Sequence, residues 1–162
     1  MRILGIDPGF AIIGYGVIDK DRDLKVIDYG VITTPKEDSI ANRLETNYNA
    51  IVALIEKFKP DAIAIEELFY FRNQTTIIPV AEARGIILLA CNQSRTPIYE
   101  YTPLQIKQAI TGNGRAEKKQ IQYMVTNILG LASIPKPDDA ADALAVAITH
   151  SQTNNLISNN RV

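Results

Sequence analysis

Three separate segments carry acids where side chains should be buried. Asp7 closes the apolar run "RILGI" and is followed by Pro8-Gly9; Glu66 closes "AIAI"; and "PDDAADALAVAI" holds Asp138, Asp139 and Asp142. A carboxylate taken out of water without a partner costs several kcal/mol or stays protonated. Asp7 has a local alternative, because Asp-Pro-Gly is also turn chemistry. Asp138 and Asp139 have one too, since acids in a first helical turn complement the macrodipole. Asp142 lies past that turn, among alanine, leucine and valine, with no arginine or lysine between Asp138 and His150. On a helix Asp142 shares a face with Asp139, three residues back, and can share one with Asp138, four back. Glu67 follows Glu66, but neighbouring strand residues point to opposite faces, so only one of them joins a site. Acids converging from three segments share one solution, a hard cation with oxygen ligands, most naturally Mg²⁺. Two such ions about 4 Å apart would activate a water and stabilise the leaving oxygen of a phosphodiester.

Something must hold these acids, and hydrophobic periodicity suggests what. Residues 2–7, 12–19 and 24–33 are rich in Ile, Val and Tyr and are separated by Pro-Gly and by "DKDRD", which predicts three consecutive strands, the first two pairings antiparallel. Residues 39–58 have helical spacing with Ser39 as N-cap; 61–66 reads as a strand; and 76–92 reads as a helix apolar nearly all round. A short strand at 97–101 precedes two amphipathic helices, "TPLQIKQAITG" and "RAEKKQIQYMVTNILG", each stopping at glycine. The last helix covers 137–152 and starts at Pro137, with His150 near its end as a C-terminal dipole partner. Three meander strands followed by alternating helices and strands imply a mixed α/β sheet with helices on its faces. The division expected is one globular domain over 1–152 and a mobile tail over 153–162.

Composition narrows the class. At 162 residues, 46% hydrophobic and 22% charged, the chain suits a single globular domain with a sizeable core. No signal-peptide pattern and no bilayer-length apolar run occurs, so a cytoplasmic protein without membrane contact is expected. The lone Cys91, in "GIILLACNQ", excludes an intrachain disulfide and a thiolate metal cluster and reads as core filler. A formal net charge of −1 argues against simple coating of nucleic acid. Lys107, Arg115, Lys118 and Lys119 nevertheless lie together in sequence against the single acid Glu117, a basic shoulder beside an acidic centre.

The ordered set "GIDPG" with "GYGVI", "AIE" with "LF", "EARG", "QIKQAITGNGRAEKKQIQYMV" and "DAADALAVAITH" resembles the RuvC family of Holliday-junction resolvases from residue 2 to about 150. The resemblance implies an RNase H-like mixed five-stranded sheet flanked by helices. It also implies a homodimer, Mg²⁺ or Mn²⁺, and paired nicks of opposite strands at a four-way DNA junction. The family's four catalytic acids fall on Asp7, Glu66, Asp139 and Asp142; some members carry histidine where this chain has Asp139. Glu67 and Asp138 match no catalytic position. Lys107 and Lys118 match family lysines near the active site, with Lys118 nearest the transition-state charge, whereas Arg115 and Lys119 match none. Phe69, in "LFYFRNQTT", matches an aromatic that stacks on a base at the crossover; Tyr70 and Phe71 read equally well as a hydrophobic plug. A branch-migration complex, RuvA-RuvB, is the further partner implied.

The glycine-rich "TGNGRAEKK" lets backbone amides and a helix N-terminus approach phosphate. The excess apolar surface of 76–92 agrees with a second copy packing there. Competing readings are an RNA-precursor nuclease of the same fold, a junction-binding module without catalysis, and a phosphotransferase of the actin and sugar-kinase superfamily. The last needs a duplicated domain and further glycine-rich phosphate turns that this sequence does not contain.

Overall fold

The computed structural model describes residues 1–68, 77–153 and 161–162. Five strands form one sheet: β1 (Arg2–Asp7), β2 (Ile12–Lys20), β3 (Leu24–Thr33), β4 (Ala62–Glu66) and β5 (Ile98–Tyr101). Their spatial order is β3-β2-β1-β4-β5. The first three pair antiparallel, with a bulge between Val17 and Ile18, while β4 runs parallel to β1 and β5 parallel to β4. This is the mixed RNase H-like sheet expected. Ile6 sits beside Ile65 and Glu66 beside Tyr101, so β1 and β4 end together. Asp7 and Glu66 therefore emerge from the carboxyl ends of adjacent parallel strands.

Alternation along β1 and β4 sorts residues between two layers. Leu4, Ile6, Ile63 and Ile65 pack against α1 (Ile40–Phe58) and α2 (Ile77–Gln93) through Ile51, Ile55, Phe58, Ile87 and Cys91. Burial pushes the Cys91 thiol up to about 12, which agrees with an inert core filler. Ile3, Ala64 and Tyr101 face the other side, towards α5 (Asp138–Gln152), α3 (Pro103–Thr111) and α4 (Lys118–Ile128). Asp7 and Glu66, two residues beyond Gly5 and Ala64, belong to that second face.

Glycine governs how close α5 comes. A Cβ on Gly5 would lie 2.2 Å from the Ala143 carbonyl oxygen, one on Gly14 2.0 Å from that of Asp139, and one on Gly16 2.7 Å from Leu144 Cδ2. Alanines on α5 complete the contact, and from Ala140 to Ser151 every residue but Asp142 is buried. At Gly5 and Gly14 backbone thus packs on backbone, which sets the register of the α5 acids over β1 and β2, while Gly16 makes room for the Leu144 side chain.

Local signals end the helices where backbone groups need partners. Ser39 Oγ accepts from the Asn42 N–H at 3.2 Å, as its N-cap position predicts. Thr102 and Gln105 form a reciprocal capping box at α3, which stops at Gly112 with φ 73°. The following helix begins at Lys118 rather than at Arg115, where the expected segment starts, and Gln120 Oε1 accepts from the Glu117 N–H at 2.9 Å at its N-terminus. Within the segment expected as a tail, Arg161 forms an antiparallel bridge to Tyr99, and the Val162 N–H donates to the Ile98 carbonyl at 3.0 Å. Among the described residues no helix is long and apolar enough to cross a membrane.

Candidate active site

A cleft of about 320 Å³ opens at the ends of β1 and β4, lined by Asp7, Glu66, Lys107, Lys118 and Asp142 over an apolar wall that includes Ile106 and Ile121. Two carboxylates come from the sheet, one from α5, and the lysines from α3 and α4. Asp139 is not in the lining, yet its charge reaches both Asp7 and Asp142. Its carbonyl is the group packed on Gly14, so its backbone is fixed while the residue is only half-buried.

The acids strain against one another. Burial first, then the charges of Glu66, Asp142 and Asp139, push Asp7 up to about 8, with Lys118 opposing. Glu66 rises to about 7 by burial and the Asp142 charge, against Lys118 and Lys107. Asp142 is also raised, by burial, although Lys118 pulls it down. Burial and crowding hold these carboxyls high despite the two lysines, so further positive charge in the cleft would relieve them.

The partner that local sequence does not supply to Asp142 comes from α4. Lys118 Nζ lies 2.9 Å from Asp142 Oδ2 and 3.5 Å from Asp138 Oδ2. Burial lowers the Lys118 pKa, but the two acids outweigh it and hold the amine above the usual lysine range. As placed, no three acid, histidine or cysteine side chains among the described residues stand close enough to close on one ion. The donor chemistry is still that of a hard divalent cation: the groups are all carboxylate, from three elements, and short of positive charge. Lys118 holds one of them.

The remaining expected residues spread outward. Lys119 does not line the cleft and instead lines a second groove with Thr111, Asn113, Gln120 and Tyr123. Arg115 is exposed in the loop before α4. Glu67 does not line the cleft, and its N–H donates to the Tyr101 carbonyl at 2.9 Å. Phe69, Tyr70 and Phe71 lie outside the described residues.

His150 differs from its expected part as a helix-end cation. It is buried, its Nδ1 is 2.7 Å from the Tyr101 hydroxyl, and its ring centroid is 4.4 Å from that of Tyr99. Burial, then Lys20, lower its pKa, so it serves as a neutral hydrogen-bonding partner between α5 and β5. Sequence reasoning also passed over Gly14 and Gly16. Their spacing of two in "GYG" places both on one face of β2, and that was a legible sign of close approach.

Residues 3–150 match the family model described as crossover junction endodeoxyribonuclease RuvC. A protein of that name from Fusobacterium nucleatum is 58% identical over 151 residues, covering 93% of this chain and 80% of the relative. The structure of Thermus thermophilus RuvC superposes with a TM-score of 0.85 at 35% identity, covering 93% of each chain. A T. thermophilus RuvC in complex with Holliday junction substrate gives 0.84 at 33%, covering 93% of this chain and 92% of that one.

Proposed function

The chain belongs to the RuvC family of crossover junction endodeoxyribonucleases, and from that premise we propose how its own residues resolve a Holliday junction. The observation that carries the reading is the cleft in which Asp7, Glu66 and Asp142, from three separate elements, face Lys107 and Lys118. Asp7, Glu66, Asp139 and Asp142 are the residues that would hold Mg²⁺, two ions per subunit, with Mn²⁺ able to substitute. Such ions, when bound, would supply an activated water and charge neutralisation at the leaving oxygen.

The protein's own part is to bind, orient and neutralise. Lys107 and Lys118 attract the scissile phosphate to the rim of the cleft, and Lys118 lies nearest the charge that develops in the transition state. Ile106 and Ile121 exclude water beneath it, which strengthens those interactions. Asp139, anchored through its backbone, supplies its own carboxylate. Arg115 and Lys119 contact duplex phosphates farther along the arm, and Phe69 stacks at the crossover, where returning about 1 to 3 kcal/mol per base helps hold the junction open.

A homodimer completes the reading, because a two-fold axis sets two clefts against two equivalent strands. Exposed Ile78 and Leu89 on α2 support an apolar contact there. RuvA-RuvB would deliver the junction, and the work would lie with the chromosome in the cytoplasm. The nuclease domain is 1–152. One experiment tests the core of this: labelled four-way DNA, linear duplex and RNA, each incubated with and without Mg²⁺. Symmetric nicks in the junction alone, dependent on Mg²⁺, are expected. Preferential cutting of RNA, or junction binding without cutting in Mg²⁺ and Mn²⁺, sinks it.

A further inference from the structure

Asp138 is left over by the four-acid site, yet it is one of the two carboxylates that hold Lys118. We infer that Asp138 is a positioning residue that takes over Lys118 when a divalent cation claims Asp142, so that the lysine stays at the cleft instead of leaving for solvent. This rests on the reading of Asp142 as a metal ligand. Asp138 and Asp142 are four apart on α5 and share a face, one turn separated. Lys118 Nζ bridges them at 3.5 and 2.9 Å, so the amine already lies within ion-pair reach of Asp138, and its flexible four-carbon stem can shorten that contact as it leaves Asp142.

The two carboxylates are unequal in the way a hand-over requires. Asp142's side chain is 25% exposed and lines the cleft; Asp138's is 59% exposed and stands outside it. Asp138 is also the first residue of α5, where an acid complements the helix dipole. A cation entering the cleft repels Lys118 from Asp142. Without Asp138 the amine would have to exchange its partner for water. With Asp138 it keeps an ionic partner, and its charge remains within reach of an incoming phosphate.

The test needs no DNA. Mg²⁺ binding to the full chain is measured calorimetrically for wild type, Asp138→Asn, Lys118→Met and the double variant, with Asp142→Asn as the control. An exposed pair of this kind is worth a factor of about two to four in a binding constant. Asp138→Asn should weaken Mg²⁺ binding by that factor when Lys118 is present and have a much smaller effect in the Lys118→Met background, where no amine needs a second partner. A merely structural acid at a helix start, or one acting only through overall charge, would shift both backgrounds equally; that result, no shift, or tighter binding by Asp138→Asn overturns the inference. If Asp142→Asn leaves Mg²⁺ affinity unchanged, the ligand reading beneath it fails instead, and the two failures are distinct.

Discussion

The two faces of the sheet are built on opposite principles. Towards α1 and α2, bulky Leu4, Ile6, Ile63 and Ile65 meet Ile51, Ile55 and Ile87, a contact made by side chains that can repack. Towards α5, glycines on β1 and β2 meet the helix backbone, with the Asp139 carbonyl 2.0 Å from where a Gly14 Cβ would stand. The first face supplies stability that tolerates adjustment. The second supplies position, and it is the one that carries the acids. Catalytic carboxylates must sit within fractions of an ångström of productive geometry, which backbone-on-backbone packing provides and a layer of rotamers does not.

Substitution on each face should break the symmetry most visibly. Gly14→Ala drives a methyl into a backbone carbonyl that cannot rotate away, so we expect about 1 to 3 kcal/mol of destabilisation and loss of nicking beyond what the unfolded fraction explains. Ile87→Val, fully buried on the opposite face, should cost about 0.5 to 1.5 kcal/mol with unchanged activity per folded molecule. Urea melts beside junction nicking compare them; equal loss of specific activity would erase the distinction.

The α5 face should also carry the metal-free pH dependence. Asp7 rises from 3.8 to about 8 in the fold and Glu66 from 4.5 to about 7. The folded state therefore holds protons that the unfolded chain has released. That contribution is full below about pH 4 and is lost as pH climbs to about 8, at up to about 1.4 kcal/mol per pH unit for each group. Metal-free stability should fall across this window, and Asp7→Asn should flatten the fall. Saturating Mg²⁺ should flatten it as well, since an ion that binds only the folded state offsets the repulsion. A metal-free stability that rises with pH over the window would contradict the crowding.

The smallest effects separate lysines of two different grooves. Lys107, inside the cleft, should flatten the salt dependence of junction binding by about one phosphate's worth when changed to Ala. Lys119, in the neighbouring groove, should flatten it less. Titrations at several salt concentrations decide; an unchanged slope for Lys107→Ala would leave it without a phosphate contact.

Much of this was readable beforehand for particular reasons. Asp7 and Glu66 each terminate a short apolar run, so period-two alternation and burial marked them before any fold was known. Ser39 and Gly112 mark helix ends because capping is local. The partner of Asp142 was not legible: Lys118 lies 24 residues upstream, and only the packing of α4 beside α5 joins them. His150 misled for a related reason, since a helix-end imidazole reads as a dipole partner until Tyr99 and Tyr101 are found to enclose it.

The sequence by itself determined which residue types were available for chemistry, where the strands and helices run, and, through ordered motifs, the family. Tertiary structure alone decided which charges meet. Secondary structure follows from interactions among near neighbours in the chain, whereas the pKa of Asp7 and the pairing of Lys118 depend on groups brought together from β4, α4 and α5. Coulomb energy and desolvation act through distance in space, and sequence separation does not encode that distance.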